Sequence, residues 1–334
     1  MYQTKKFKNF WKKLKKPFFC LAPMADVTDC AFRQIIAKYG KPDVFWTEFV
    51  SADGLAHLKG KKKLLIDLKF SKNEHPIVAQ LFGSNAENME KAAALCQKLG
   101  FDGIDINMGC PDKSIEKQNS GAAMMKNIKL AKEIIGAARE GAKGLPISVK
   151  TRIGYNKNEI DTWIKELLKE DLSALIVHLR TRKEMSDVPA HWELMPEIIK
   201  LRNKISPKTL IIGNGDVLDL EDARQKVKKY GCDGIMLGQA IFGNPYLFSR
   251  GKRQDLKSSK RPCLEERLQI LIEHAKLFEK LLGQTKSFAV MKKHFKAYVN
   301  GFEGAKELRV KLMEINNAKE VEKIINNFLR ARKI

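Results

Sequence analysis

The sequence lacks the apolar segments and paired cysteines that several protein classes require. It contains no run of about 18 apolar residues that could span a bilayer, and no apolar core follows its basic N-terminal segment as in a signal peptide. Its six cysteines include no C-x-x-C pair and no histidine partner at metal-ligand spacing. We therefore expect no membrane association, no metal and no disulfide framework, as is typical of a protein of the reducing cytoplasm.

Positive charge is in large excess. Lysine and arginine number 62 against 39 acidic residues, for a formal net charge of +23. Such a field favours a polyanion, nucleic acid above all, and a solvated lysine-rich surface is the alternative. Residues 1–16 contain seven lysines and no acid, which predicts a basic arm. The alternative for this arm is a membrane-surface helix, because Phe7, Phe10, Trp11 and Leu14 fall at helical spacing.

Eight short segments rich in apolar, β-branched or aromatic residues recur along the chain. They cover residues 18–24, 44–50, 77–82, 103–107, 147–152, 174–179, 210–213 and 234–238. Segments with helical length and propensity lie between them, among them 85–99, 129–139, 159–169 and 220–230. This alternation predicts an α/β fold, a (β/α)₈ TIM barrel over residues 17–250. A doubly wound sheet is the alternative, but no G-x-G-x-x-G follows the first strand.

The composition changes after Phe248 to a polar, basic stretch, which predicts a domain boundary near residue 250. Beyond it, apolar residues from Leu264 to Leu282 recur every three or four positions, as on one face of a long helix. Further helices are predicted over 288–299, 305–315 and 321–329. Residues 251–334 carry 20 basic and 10 acidic residues, so we expect a small helical domain that binds RNA.

The most informative stretch is 103–125, GIDINMGCPDKSIEKQNSGAAMM. A buried-strand pattern ends at Asn107-Met108-Gly109-Cys110-Pro111, where glycine and proline predict a loop that presents the cysteine. The alternative is that Cys110 is a small packing residue.

At these residues the sequence resembles the tRNA-dihydrouridine synthases, in which an N-x-G-C-P segment carries the cysteine that protonates uracil. Similar segments recur in order along nearly the whole chain. The resemblance implies an FMN-dependent enzyme that reduces uridine in tRNA to 5,6-dihydrouridine. Hydride would come from the reduced flavin, a proton from Cys110 as the catalytic residue, and NADPH would re-reduce the flavin.

The resemblance assigns flavin contacts to residues at the ends of four predicted strands. They are Pro23, Met24 and Ala25, which match an A-P-M segment of the family, and Gln80, Lys150 and His178, which are assigned to the pyrimidine ring of the flavin. From the residues alone, the first three are merely a strand end, Lys150 is a lysine near the barrel rim and His178 is a core histidine.

The phosphate of the flavin is expected at the last two predicted strands, where glycines expose backbone N–H groups at helix starts. The residues concerned are Asn214, Gly215, Asp216, Gly238 and Gln239. Many relatives have arginine where Gln239 stands, so a charge-assisted phosphate contact is missing here. Leu179 also departs from the family, in which glycine is common at that position.

Four residues are assigned to the substrate: Asn107, Arg152, Arg180 and Arg182. The arginines lie on the predicted active face, and surface ion pairing is their alternative role. In the tail, basic and aromatic residues interleave from Lys292 to Tyr298, as in the tRNA-binding helical domain of the family, although core packing explains Phe295 and Tyr298 equally well.

Two other functions compete with this prediction. One is a flavin barrel that acts on a free pyrimidine, similar to a dihydroorotate dehydrogenase, which has no use for the basic tail. The other is a non-catalytic RNA-binding barrel. We expect a monomer, and the sequence does not reveal which uridine is modified.

Overall fold

The computed structural model describes residues 9–249 and 262–332. Half of the predicted basic arm, residues 1–8, and most of the predicted linker, residues 250–261, lie outside the described residues. Among the described residues, no helix combines the length and the apolar character needed to cross a membrane.

The described chain forms a parallel barrel that confirms the predicted fold. Its strands are β1 (Phe18–Leu21), β2 (Phe45–Trp46), β3 (Val50–Ser51), β4 (Ile77–Phe82), β5 (Gly103–Met108), β6 (Ile147–Arg152), β7 (Ala174–His178), β8 (Leu210–Asn214) and β9 (Gly234–Leu237). They pair in the order β1-β9-β8-β7-β6-β5-β4-β2, with β3 also on β4. A bridge between Cys20 and Val44 connects the two ends of this order and closes the barrel.

The second predicted strand, 44–50, is not continuous. It consists of β2 and β3, both paired with β4, with residues 47–49 outside any strand. At the break, the Thr47 hydroxyl accepts the Gln80 N–H at 3.0 Å, in the place of a backbone carbonyl. The next residue, Glu48, uses its carboxylate to accept the N–H of Asp26. Side-chain hydrogen bonds thus compete with the ladder at this position.

Helices follow most strands. They are α1 (Cys30–Tyr39), α2 (Ala52–Ala56), α3 (Leu58–Leu64), α4 (Ala86–Leu99), α5 (Lys113–Glu116), α6 (Ile128–Ala142), α7 (Lys165–Leu168), α8 (Met195–Ile205) and α9 (Leu220–Tyr230). The predicted helices 85–99, 129–139 and 220–230 are confirmed, whereas 159–169 begins as a π-helix, Ile160–Ile164, before α7. Asn85 caps α4 by accepting the Asn88 N–H, and Gly100 ends it with φ +90°.

Alternate residues of the strands belong to two apolar clusters, as expected for a barrel filled by side chains and covered by helices. Phe18 and Trp46 belong to the inner cluster, and Trp11 from the 3₁₀-helix Phe10–Lys13 packs on both, with ring centroids 6.0 and 5.9 Å apart. Trp11 is only 3% exposed, so it closes the amino end of the barrel and is unavailable to a membrane surface.

The C-terminal region is helical, as predicted. It contains α10 (Leu264–Leu282), α11 (Met291–Tyr298), α12 (Ala305–Glu314) and α13 (Ala318–Ala331). Phe295 and Tyr298 are buried there, so core packing explains them. The helices share one apolar cluster with Ala31 and Ile35 of α1. The division into domains near residue 250 remains a prediction. The apolar cluster of the helices includes residues on both sides of this position.

Candidate active site

A cavity of about 570 Å³ opens at the carboxyl ends of the strands. This is the end at which TIM barrels carry their active sites. Nine of the residues predicted to hold a flavin line it: Pro23, Met24, Lys150, His178, Asn214, Gly215, Asp216, Gly238 and Gln239. Arg180, predicted to contact the substrate, lines it as well. Ala25 follows Met24 but is exposed and outside the lining.

The turn after β8 forms part of the cavity wall. Gly215 has φ +121°, and a Cβ there would lie 2.8 Å from the Cβ of Ala190 and 3.0 Å from the His178 ring. Only glycine fits this conformation and this space. The Trp192 indole N–H donates to the Gly215 carbonyl at 2.8 Å and fixes the turn.

Arg180 joins the turn after β8 to β7. It is 5% exposed; its guanidinium forms an ion pair with Asp216, and its Nη1 lies 3.1 Å from Nε2 of His178. Burial and the neighbouring cations Arg152, Lys150 and Arg180 hold the pKa of His178 well below its usual range. His178 is therefore neutral at pH 7 and accepts a hydrogen bond from Arg180.

Lys150 brings a positive charge to the cavity without a protein partner. Its Nζ has no hydrogen bond or ion pair with any residue in the described ranges 9–249 and 262–332. Burial and the nearby Arg152 lower its pKa to about 8, and Asp105 and Cys110 act in the opposite direction. At pH 7 Lys150 remains mainly protonated and is suited to hold an anionic group in the cavity.

Cys110 lies in the loop after β5, half-buried. Oδ1 of Asn107 accepts the N–H of Gly109 at 3.1 Å and that of Cys110 at 2.9 Å, while the Cys110 carbonyl accepts the Ala122 N–H. Burial raises the pKa of the Cys110 thiol above its usual value. The group is therefore a thiol at neutral pH and has a proton to give.

Gln80 and Asn107 do not line the cavity. Gln80 is fully buried and Asn107 is 7% exposed, and the two side chains are hydrogen-bonded at 3.2 Å. Asn107 is in register with Lys150 on the neighbouring strand, so the loop that bears Cys110 follows directly beside a lining residue.

The two remaining arginines have protein partners. Arg152 is 6% exposed and donates to the carbonyls of Gly109, Thr181 and Met185 at 3.0, 2.9 and 2.8 Å. It therefore supports the loops after β5 and β7. Arg182 forms an ion pair with Glu116, 3.0 Å from Nε to Oε1, as the alternative of ion pairing predicts.

Three acidic residues on this face were not among the predicted site residues. Asp105 is fully buried in β5 and hydrogen-bonded to Gln80, Glu116 holds Arg182, and Glu48 is 5% exposed at the break between β2 and β3. A carboxylate within an otherwise apolar strand was the available signal for Asp105. Glu48 and Glu116 gave no such signal, because their partners are distant in sequence.

Comparison with known proteins gives a consistent family. A family model described as "Dihydrouridine synthase (Dus)" matches residues 20–333. The chain is 41% identical to "Probable tRNA-dihydrouridine synthase 2" of Bacillus subtilis (strain 168), over 96% of this chain and 97% of that protein. It is also 41% identical to "Probable tRNA-dihydrouridine synthase" of Staphylococcus aureus (strain Mu50), over 96% and 95% of the two chains.

Among solved structures, the 6-hydroxypseudooxynicotine amine oxidase from Pseudomonas geniculata N1 matches with a TM-score of 0.50 and 12% identity, over 69% of this chain and 46% of that one. At this identity the likeness concerns the barrel fold alone.

Proposed function

The chain belongs to the dihydrouridine synthase family, and from this premise we propose that it reduces uridine in tRNA to 5,6-dihydrouridine with FMN in the cavity and Cys110 as the proton donor. The observation that carries the proposal is a half-buried thiol close to a cavity that contains Lys150, a cation without a hydrogen-bond or ion-pair partner among the described residues. Cys110 itself does not line the cavity, but its loop follows β5, which pairs with the strand of Lys150, and the charge of Lys150 acts on the Cys110 thiol.

The cavity has the properties that FMN requires. Its volume falls within the range of about 300–1,000 Å³ that is usual for cofactor sites. Lys150 supplies a cation for the pyrimidine end of the flavin, and the backbone at Gly215 and Gly238 supplies N–H groups for the phosphate. When bound and reduced by NADPH, FMN would supply the hydride for carbon 6 of the uracil.

Cys110 supplies the proton that the reduction also consumes, at carbon 5 of the uracil. Because burial raises its pKa, the thiol is protonated when the substrate arrives. The thiolate that remains is stabilised by Lys150 and Arg152, whose charges act to lower the pKa of Cys110. The surroundings of Cys110 thus keep the thiol protonated before the proton transfer and stabilise the thiolate after it.

The substrate is a base within a polynucleotide. A uracil that is paired or stacked cannot reach a thiol in a barrel loop, so the nucleotide has to be turned out of its stack. The net charge of +23 favours the polyanionic backbone that carries it. We take this polynucleotide to be tRNA because the relatives at 41% identity are named tRNA-dihydrouridine synthases.

The test is Cys110→Ala, measured with two assays on one preparation. If Cys110 only donates a proton, the variant still binds FMN and oxidises NADPH with oxygen as acceptor. Dihydrouridine formation in tRNA falls by about 10²- to 10⁴-fold, the usual contribution of a general acid. Cys263→Ala, which removes an exposed cysteine, is the matched control and retains both activities.

Two results would contradict the proposal. Retention of dihydrouridine synthesis in Cys110→Ala would make Cys110 a packing residue. Loss of FMN from the same variant would make its role structural and remove the basis for calling it an acid.

A further inference from the structure

A chain of buried polar side chains connects the barrel interior to the Cys110 loop. Oδ2 of Asp105 accepts from Nε2 of Gln80 at 2.6 Å, and Oε1 of Gln80 accepts from Nδ2 of Asn107 at 3.2 Å. Oδ1 of Asn107 then accepts the backbone N–H groups of Gly109 and Cys110 at 3.1 and 2.9 Å. Asp105 and Gln80 are fully buried, and Asn107 is 7% exposed.

The direction of every hydrogen bond in this chain is set by Asp105. A carboxylate can only accept, so Gln80 has to turn its NH₂ group towards Asp105 and its oxygen towards Asn107. Asn107 must then offer its NH₂ group to Gln80, which leaves its oxygen for the two N–H groups of the loop. Were either amide reversed, two donors or two acceptors would face each other in a buried site, at considerable cost.

The carboxylate itself has no freedom to turn away. Its second oxygen, Oδ1, accepts from the hydroxyl of Ser148 at 2.6 Å. Burial raises the pKa of Asp105 to about 6, while Ser148, Gln80 and the charge of Lys150 act in the opposite direction. Asp105 is therefore mainly ionised at pH 7, the state in which it accepts on both oxygens.

We infer that Asp105 is a positioning residue for Cys110, acting through Gln80 and Asn107 to hold the loop in one conformation. The inference rests on the proposed function for its catalytic meaning, but the positioning itself is a property of the loop. Asparagine in place of Asp105 can donate or accept towards Gln80, so the amides lose their single orientation and the loop loses its anchor.

The test measures the alkylation rate of each cysteine by iodoacetamide, with peptide mass spectrometry and without tRNA or NADPH. Cys263 is exposed and gives the reference rate, and Cys96 is fully buried and reports global unfolding. In Asp105→Asn, the Cys110 rate relative to Cys263 should rise about tenfold, as expected when a hydrogen bond to a charged group no longer holds a local structure closed. The Cys96 rate should not change.

Ser148→Ala is the matched control, because it removes a neutral hydrogen bond to the same carboxylate but leaves the link to Gln80. Its Cys110 rate should rise clearly less than that of Asp105→Asn, because the carboxylate still accepts from Gln80. An equal rise in Ser148→Ala, or no rise in Asp105→Asn, would overturn the inference.

A second variant separates positioning from a general effect of charge. Gln80→Met interrupts the series of hydrogen bonds one step later and should raise the alkylation rate of Cys110 as Asp105→Asn does. It therefore provides a test even if Asp105→Asn fails to fold. The double variant should match the single ones, since both break the same chain. Multiplied effects would show that Asp105 acts on Cys110 independently of Gln80 and would refute the relay.

The catalytic consequence is measured separately. The rate of dihydrouridine formation should fall in Asp105→Asn in proportion to the rise in the alkylation rate of Cys110. If the wild type makes no dihydrouridine, the proposed function fails while the alkylation result still decides whether Asp105 positions Cys110.

Discussion

Lys286 joins the helical region to the active face through a buried ion pair, and its removal should be costly. Its Nζ lies 3.0 Å from Oε2 of Glu48 and 2.6 Å from Oδ1 of Asp67, with the side chain of Lys286 17% exposed and that of Glu48 7% exposed. In Lys286→Met, the Glu48 carboxylate stays buried without its cation. Breaking a buried pair in this way lowers the free energy of unfolding by about 3–5 kcal/mol.

The helical region contains a matched control. Lys293 also forms an ion pair with a barrel loop, 3.0 Å from Asp26, but both side chains are more than half exposed. Lys293→Met should therefore lower the free energy of unfolding by at most about 1 kcal/mol. Urea unfolding of both variants without flavin measures the difference.

The pH dependence gives a sharper check. Burial already raises the pKa of Glu48, against the opposing charge of Lys286, so the pKa rises further in Lys286→Met. A carboxyl group with a raised folded-state pKa destabilises the fold fully above that pKa, and the penalty disappears as the pH falls towards the unfolded value of about 4.3. The deficit of Lys286→Met should thus shrink as the pH falls towards 4. Equal losses in the two lysine variants at pH 7, or a pH-independent deficit, would refute this reasoning.

Two further predictions concern the ligands. Lys150→Met should lose the absorbance of bound FMN. In the wild type, the FMN affinity measured by fluorescence titration should fall as the pH rises through about 8, where Lys150 loses its charge. Lys150→Arg should remove this pH dependence, and an unchanged dependence of FMN affinity on pH in that variant would contradict the assignment. Lys296 and Lys306 line a groove of the helical region, and replacing both with glutamine should reduce the slope of log tRNA affinity against log salt concentration by about two. Lys228 and Lys229 precede β9 at the opposite end of the barrel, and the same replacement there should leave the slope unchanged. Equal slopes in the two double variants would place the RNA elsewhere.

The regular parts of the fold were predictable because they follow from local periodicity. The spacing of apolar residues from Leu264 to Leu282 predicted α10 with the bounds that the structure has. The break between β2 and β3 was not predictable, because it depends on the Thr47 hydroxyl reaching a backbone N–H in β4. Such a contact joins residues far apart in the chain and leaves no pattern in either segment.

The candidate site shows the same limit. The resemblance selected Lys150 and Gln80 together, but only the three-dimensional arrangement separates a residue that lines the cavity from one that lies buried behind the Cys110 loop. Arg180 was predicted to contact the substrate. Its ion pair with Asp216 depends on the pairing of β7 with β8, which the sequence alone does not give. Side-chain partners across strands depend on register and stagger, which the sequence does not state.

The packing of α1 against the last helices makes the order of synthesis matter for this chain. Ala31 and Ile35 leave the ribosome long before α10, whose residues pack with them in one apolar cluster. At about 5–20 residues per second, the apolar face of α1 waits roughly 10–45 s for its partner. A nascent chain stopped after Phe248 would still expose that face, as a binding site for chaperones or a signal for proteases. A barrel without the C-terminal helices should therefore be less abundant in cells than the complete protein.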